Sequence, residues 1–138
     1  FIAVAIGPGS YSGIKVGFSF AKGLSYAINK PIVPVSTFEG MDSMIKYDKK
    51  YYVTLYSHRD YVYTQLFENN CSISKPKCVK FNELKKYKIF GYGLNNIQGC
   101  KYEEILPSSK DIAKVAINQY NNLVVKEVSK IKPYYLSV

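Results

Sequence analysis

The chain has 138 residues, of which 47% are hydrophobic and 21% charged, a balance that excludes disorder over most of its length and suffices for one ordinary domain or two small units sharing a core. No apolar run approaches the roughly 20 residues of a bilayer span, and no basic segment leads into an apolar stretch with a small-residue cleavage site, so the chain reads as soluble, without a membrane partner. The net charge of +9 suits an anionic partner, yet Arg59 is the single arginine, so a solvated lysine surface and assistance in RNA binding are equally good readings of it.

The first residues, Phe1-Ile2-Ala3-Val4-Ala5-Ile6, form an apolar run with the character of a buried strand, whose sheet partners would ordinarily come from residues before it. The start therefore looks cut, with an upstream segment absent. Gly7-Pro8-Gly9-Ser10-Tyr11-Ser12-Gly13 is a turn into a helix that runs to Ala27 or Ile28 and is stopped by Asn29-Lys30-Pro31. Ile32 to Val35 reads as a short strand. Ser36-Thr37-Phe38-Glu39 has the form of a capping box and predicts a second helix over Met41, Met44 and Ile45.

From Tyr51 the pattern becomes β. Tyr51 to Tyr56 and Tyr61 to Phe67, separated by a polar turn at His58-Arg59-Asp60, predict a hairpin. A strand follows near Cys71 to Ile73, then a short helix around Asn82 to Tyr87 and a strand at Ile89 to Tyr92. Ser108 or Ser109 caps a helix in which Ile112, Val115, Ala116, Gln119 and Leu123 recur at helical spacings.

The glycine-rich turn does not match the phosphate-binding loops it resembles at first sight. A Walker loop places four residues between its glycines, whereas five separate Gly7 from Gly13, and Ser12 stands where a dinucleotide fingerprint requires its third glycine. A nucleophile elbow would need serine where Tyr11 stands. His58, the only histidine, precludes a His-rich metal site and sits in a turn, and Cys71, Cys78 and Cys100 have no metal-ligand spacing, which fits reduced thiols in a cytoplasmic protein. No catalytic, cofactor-binding or metal-binding residue is thus assigned.

The first helix is more informative. At 100° per residue, Lys15, Ser19, Lys22 and Tyr26 share a strip of about 60°, and the remainder from Gly13 to Ile28 is apolar or small. Ile14, Phe18, Ala21 and Ser25 form one flank, and Val16, Phe20, Gly23 and Ala27 the other, with Gly13, Gly17 and Leu24 between them. Only the lysine strip is expected to touch water. Either another helix of the chain or a second protein covers what the sheet does not, and the short chain favours the second protein. Gly17 and Gly23, each costing about 1 kcal/mol relative to alanine in a helix, point to close packing or local bending.

Gly7-Pro8-Gly9-Ser10-Tyr11-Ser12-Gly13-Ile14-Lys15-Val16-Gly17, followed by Ala21-Lys22-Gly23-Leu24 and Pro34-Val35-Ser36-Thr37, resembles the signature of the bacterial tRNA threonylcarbamoyladenosine (t6A) biosynthesis protein TsaB (YeaZ) family. Weaker agreement continues through Arg59 with Val62-Tyr63, Gly91-Tyr92-Gly93, Leu106-Pro107-Ser108 and Pro133-Tyr134-Tyr135-Leu136. Ser57 and His58 replace the aspartate and alanine that the family has before the hairpin arginine, and the family's first strands and helix have no counterpart here.

The resemblance implies an α/β, actin-like ATPase (ASKHA, ribonuclease H-like) fold, with an incomplete first lobe at residues 1–47 plus the closing segment 132–138, and a second lobe at 48–131. It implies a noncatalytic, cytoplasmic subunit that binds and activates the catalytic subunit TsaD, working with the ATPase TsaE on tRNA; whether the apolar helix instead forms a homodimer when TsaD is absent is left open by the sequence. The expected partner surface is Gly13, Ile14, Val16, Gly17, Phe20, Ala21 and Leu24, with Gly7, Pro8, Gly9 and Ser10 as the family motif and Lys15 and Lys22 as contacts to tRNA. No cofactor is implied. The alternatives are a glycoprotease-like or ATPase-type enzyme of the same fold, or a stand-alone RNA-binding module.

Overall fold

A computed structural model describes residues 1–137 as two sheets with helices on and between them. The first sheet pairs β1 (Ile2–Ala5) in parallel with β2 (Ile32–Val35), joined by the long helix α1 (Tyr11–Ile28). Alternation along β1 sends its side chains to opposite faces. Ile2, Val4 and Ile6 meet Phe18 and Ala21 of α1, together with Ile32, Val128 and Ile131, on one side. Ala3 and Ala5 meet Ile112, Val115 and Ala116 of α3 (Ser109–Asn118) on the other, beside Val33 and Val35.

The helix at 109–118 lies against the two-stranded sheet, because its stripe of Ile112, Val115 and Ala116 fits the small-residue face that Ala3 and Ala5 leave open. Val125 also returns to this sheet through reciprocal backbone bonds with Ile32 of 2.8 and 3.3 Å.

The second sheet is mixed. β3 (Tyr51–His58) pairs antiparallel with β4 (Tyr61–Glu68) and parallel with β7 (Lys88–Tyr92), which pairs with β8 (Glu103–Glu104). The outer edge of β4 carries β5 (Cys71–Ser72) and β6 (Lys77–Lys80). One face, Tyr51, Val53, Leu55, Phe67 and Phe90, packs under Phe38 and Met41 of α2 (Thr37–Asp42) and under Ile45. The opposite face holds Tyr52, Val62, Ile89, Leu94 and Ile97.

Three local expectations differ from the structure. The second helix ends at Asp42, before Met44 and Ile45, because the Asn70 side-chain amide donates to the carbonyls of Asp42 and Ile45, both at 3.0 Å, and ties off the helix end. The helix expected over 82–87 is a 3-10 turn, Phe81–Glu83, closed by a 3.1 Å bond from Leu84 N to Phe81 O; the lysine-rich stretch after it offers no apolar stripe to bury. The last helix breaks at Gln119 and resumes as α4 (Tyr120–Leu123), which lets the chain turn back onto Ile32. Among the described residues, no helix is long and apolar enough to cross a membrane.

Candidate functional site

The Gly-Pro-Gly-Ser turn is held from both sides. Ile6 accepts a bond from Tyr134 N at 2.6 Å, and Gly7 O accepts one from Thr37 N at 2.9 Å. Gly7 has φ 107°, and a Cβ there would lie 2.7 Å from the carbonyl oxygen of Tyr134, so this position needs glycine on both conformational and steric grounds. Pro8 follows through a cis peptide bond. Ser10 then caps α1, its hydroxyl accepting from Gly13 N at 3.4 Å, and Asn29, in the left-handed region at φ 49°, ends it.

The turn thereby fixes the rotation of α1. Phe18, Ala21 and Ser25 are buried and face β1 and β2, while Ile14 is half-buried. Val16 is 70% exposed and Phe20 72%, with Gly13, Gly17, Gly23, Leu24 and Ala27 exposed around them. Water therefore reaches more of the helix than the lysine strip, because no other described element packs on this apolar flank. Among the described residues, nothing lies within 4 Å of where a Cβ would stand at Gly17 or Gly23. The described part of the chain thus supplies no close packing at either glycine.

Of the residues expected at the partner surface, Gly13, Val16, Gly17, Phe20 and Leu24 share this open side. Ala21 does not: at 4% exposure it belongs to the core beneath α1. Lys15 is exposed, whereas the Lys22 ammonium folds over the Phe18 ring, 4.8 Å from its centroid.

A cleft of about 710 Å³ runs from Pro8, Gly9 and Ser10 past Ile14 and Gly17 to Tyr56, Tyr92 and Ser108. Its lining is apolar and hydroxylic, without a charged side chain among the described residues. Among the described residues, no group of three or more His, Cys, Asp or Glu is arranged to hold a metal ion.

A second polar cluster escaped the sequence reading. Asp42, the last residue of α2, is buried and accepts from the Tyr51 hydroxyl and, at 3.3 Å, from the Asn70 amide. Burial raises the Asp42 carboxyl above the usual range despite these bonds. It also raises Glu39, to which the negative charge of Asp42 adds. Burial and the Asp42 carboxylate together push the Tyr51 phenol up. Only the tertiary approach of α2 to the turn at Asn70 creates this cluster, so spacing along the chain carried no signal for it.

Residues 1–89 match the family model described as TsaD: tRNA N6-adenosine threonylcarbamoyltransferase. Proteins of that name resemble shorter stretches. The one from Fusobacterium nucleatum subsp. nucleatum is 55% identical over 40 residues, covering 29% of this chain and 12% of the relative. The one from Thermodesulfovibrio yellowstonii is 48% identical over 50 residues, covering 36% and 15%. The matches thus span only a small part of these relatives' length.

Solved structures extend the likeness to nearly the whole chain. An uncharacterized protein with similarity to peptidase YEAZ from Pseudomonas aeruginosa superposes with a TM-score of 0.74 at 16% identity, covering 96% of this chain and 71% of that one. YeaZ from Pseudomonas aeruginosa gives 0.71 at the same identity and coverage. The expected actin-like α/β fold is therefore present, the resemblance to YeaZ (TsaB) extends to the fold, and the chain belongs to the TsaD family of tRNA N6-adenosine threonylcarbamoyltransferases.

Proposed function

We propose that this chain is a TsaB-type partner subunit in t6A synthesis, docking on the catalytic subunit TsaD through the open flank of α1 and holding it in an active arrangement. The observation that carries the reading is Phe20, 72% exposed on a capped 18-residue helix whose opposite side is fully engaged. An aromatic ring, Val16 and two uncovered helix glycines form a ridge and a shallow trough of the kind a second helix fills. The family match and the YeaZ-like fold support the t6A setting.

In this reading the chain supplies shape, and the transfer of the threonylcarbamoyl group occurs on TsaD, with TsaE as the ATPase, in the cytoplasm. Lys15, beside the docking flank, extends a basic surface toward tRNA. The lobes are redrawn so that β1, β2, α1 and α3 form the first and the mixed sheet the second. The test is reconstitution: t6A formation on tRNA by TsaD and TsaE of the same organism, with and without this chain. Stimulation by the parent and its loss with Phe20→Ser supports the reading. Equal stimulation by both proteins overturns the role of the α1 flank, and no stimulation by either overturns the partner role.

A further inference from the structure

The one arginine of the chain stands in an unusual place. Arg59 occupies the first position of the two-residue loop between β3 and β4, at φ 49°, whereas the other non-glycine residues with positive φ, Asn29, Asn69 and Asn70, are the type that tolerates it. Holding arginine in the left-handed region costs about 1 kcal/mol or more, and such strain concentrates where a side chain must be aimed. A register shift between Tyr56 and His58 turns the strand just before it.

Arg59 and Asp60 line a cavity of about 390 Å³ together with Phe81, Asn82, Asn96 and Gln98. Its walls are tied together. Phe81 N donates to Asp60 O at 2.8 Å, joining the hairpin loop to the 3-10 turn Phe81–Glu83, and the fully buried Leu94 anchors the turn Leu94–Asn96. Gly93 and Gly99, both at φ 75°, bracket the segment that carries Asn96 and Gln98. The three carboxamides and the guanidinium make no hydrogen bond or ion pair with other described side chains, while Tyr102 engages the neighbouring Asn95 instead.

We infer that this cavity binds an unpaired purine base. Carboxamides pair in bidentate fashion with the N6 and N7 edge of adenine, and a guanidinium with the O6 and N7 edge of guanine, an edge that pyrimidines lack. Phe81 supplies an aromatic wall for the base, as sites for unstacked RNA bases use. The volume lies in the range of small-ligand sites, and the net charge of +9 draws the attached phosphates. The inference rests on this cavity alone and stands apart from the α1 docking surface.

Fluorescence anisotropy with labelled single-stranded RNAs of about eight nucleotides tests it, comparing alternating A and G with alternating U and C. The parent is expected to bind the purine strand about tenfold more tightly. The double variant Asn96→Ala with Gln98→Ala is expected to lose that preference while keeping its affinity for the pyrimidine strand. Arg59→Gly, which relieves the loop, is expected to lose it with an unchanged or higher Tm. Equal affinity of the parent for both strands, binding of neither, or a preference that survives in both variants overturns the inference. With the preference present, competition by free AMP or GMP assigns the site to mononucleotides, and its absence assigns the site to RNA. Failure to bind TsaD would not alter any of these outcomes.

Discussion

Phe18 and Phe20 stand two positions apart on α1 and lie in opposite environments: Phe18 is 5% exposed against Ile32, Val128 and Ile131, and Phe20 is 72% exposed. Two residues advance a helix by 200°, so burying one side of α1 on the sheet necessarily turns the other out. Phe18→Ala is expected to cost about 3–5 kcal/mol in urea unfolding. Phe20→Ser should stay within about 0.5 kcal/mol of the parent, and a large loss there would mean that the ring packs inside the chain.

The helix glycines follow the same division. With no described atom within 4 Å of either position, Gly17→Ala and Gly23→Ala are each expected to stabilise the isolated chain by about 1 kcal/mol through helix propensity, read as a rise in Tm. The added methyl at Gly17 should also weaken docking of a partner helix. A fall in Tm would show that the site is already covered.

Gly91 behaves oppositely. A Cβ there would overlap the carbonyl oxygen of Thr54 on the adjacent strand and lie 2.8 Å from Leu94 Cδ1. Because a backbone carbonyl cannot rotate aside as a side chain does, Gly91→Ala is expected to cost about 1–3 kcal/mol, measured by denaturant unfolding. An unchanged midpoint would contradict this close approach of β3 and β7.

Glu39 and Asp42 give a pH dependence. Their folded pKa values are raised above 4.5 and 3.8, so their contribution to stability is fully present below those values and is lost as the pH climbs through the raised ones. Glu39→Gln keeps an acceptor for the Ser36 backbone and cannot ionise. Its Tm relative to the parent should therefore be higher near pH 7 than near pH 4. A difference that does not change with pH would remove Glu39 as the source.

Much of this arrangement was legible in the residues. The apolar run from Phe1 to Ile6, the serines that open helices at Ser36 and Ser108, and the tyrosine-rich hairpin each carry a local physical signal, and a strand, two helices and a hairpin form there, the helix after Ser36 being shorter than expected. β6 was missed because Lys77-Cys78-Val79-Lys80 is too short and charged to read as a strand, and only pairing with β4 makes it one. The placement of α3 on the first sheet was likewise illegible, since its apolar stripe does not say which sheet it covers. At α1 the two flanks could be read from the sequence, but which one the sheet takes could not. That choice puts Ala21 in the core and leaves Val16 and Phe20 outside.

The most direct test of the partner role is isothermal titration of this chain against TsaD of its own organism, beside Gly17→Arg, whose long charged side chain would stand on the open flank. The account predicts saturable binding by the parent and its loss in the variant, with the circular dichroism spectra of the two superimposable. Equal binding by parent and variant would contradict the assignment of the α1 flank, and no binding by the parent would contradict the partnership itself.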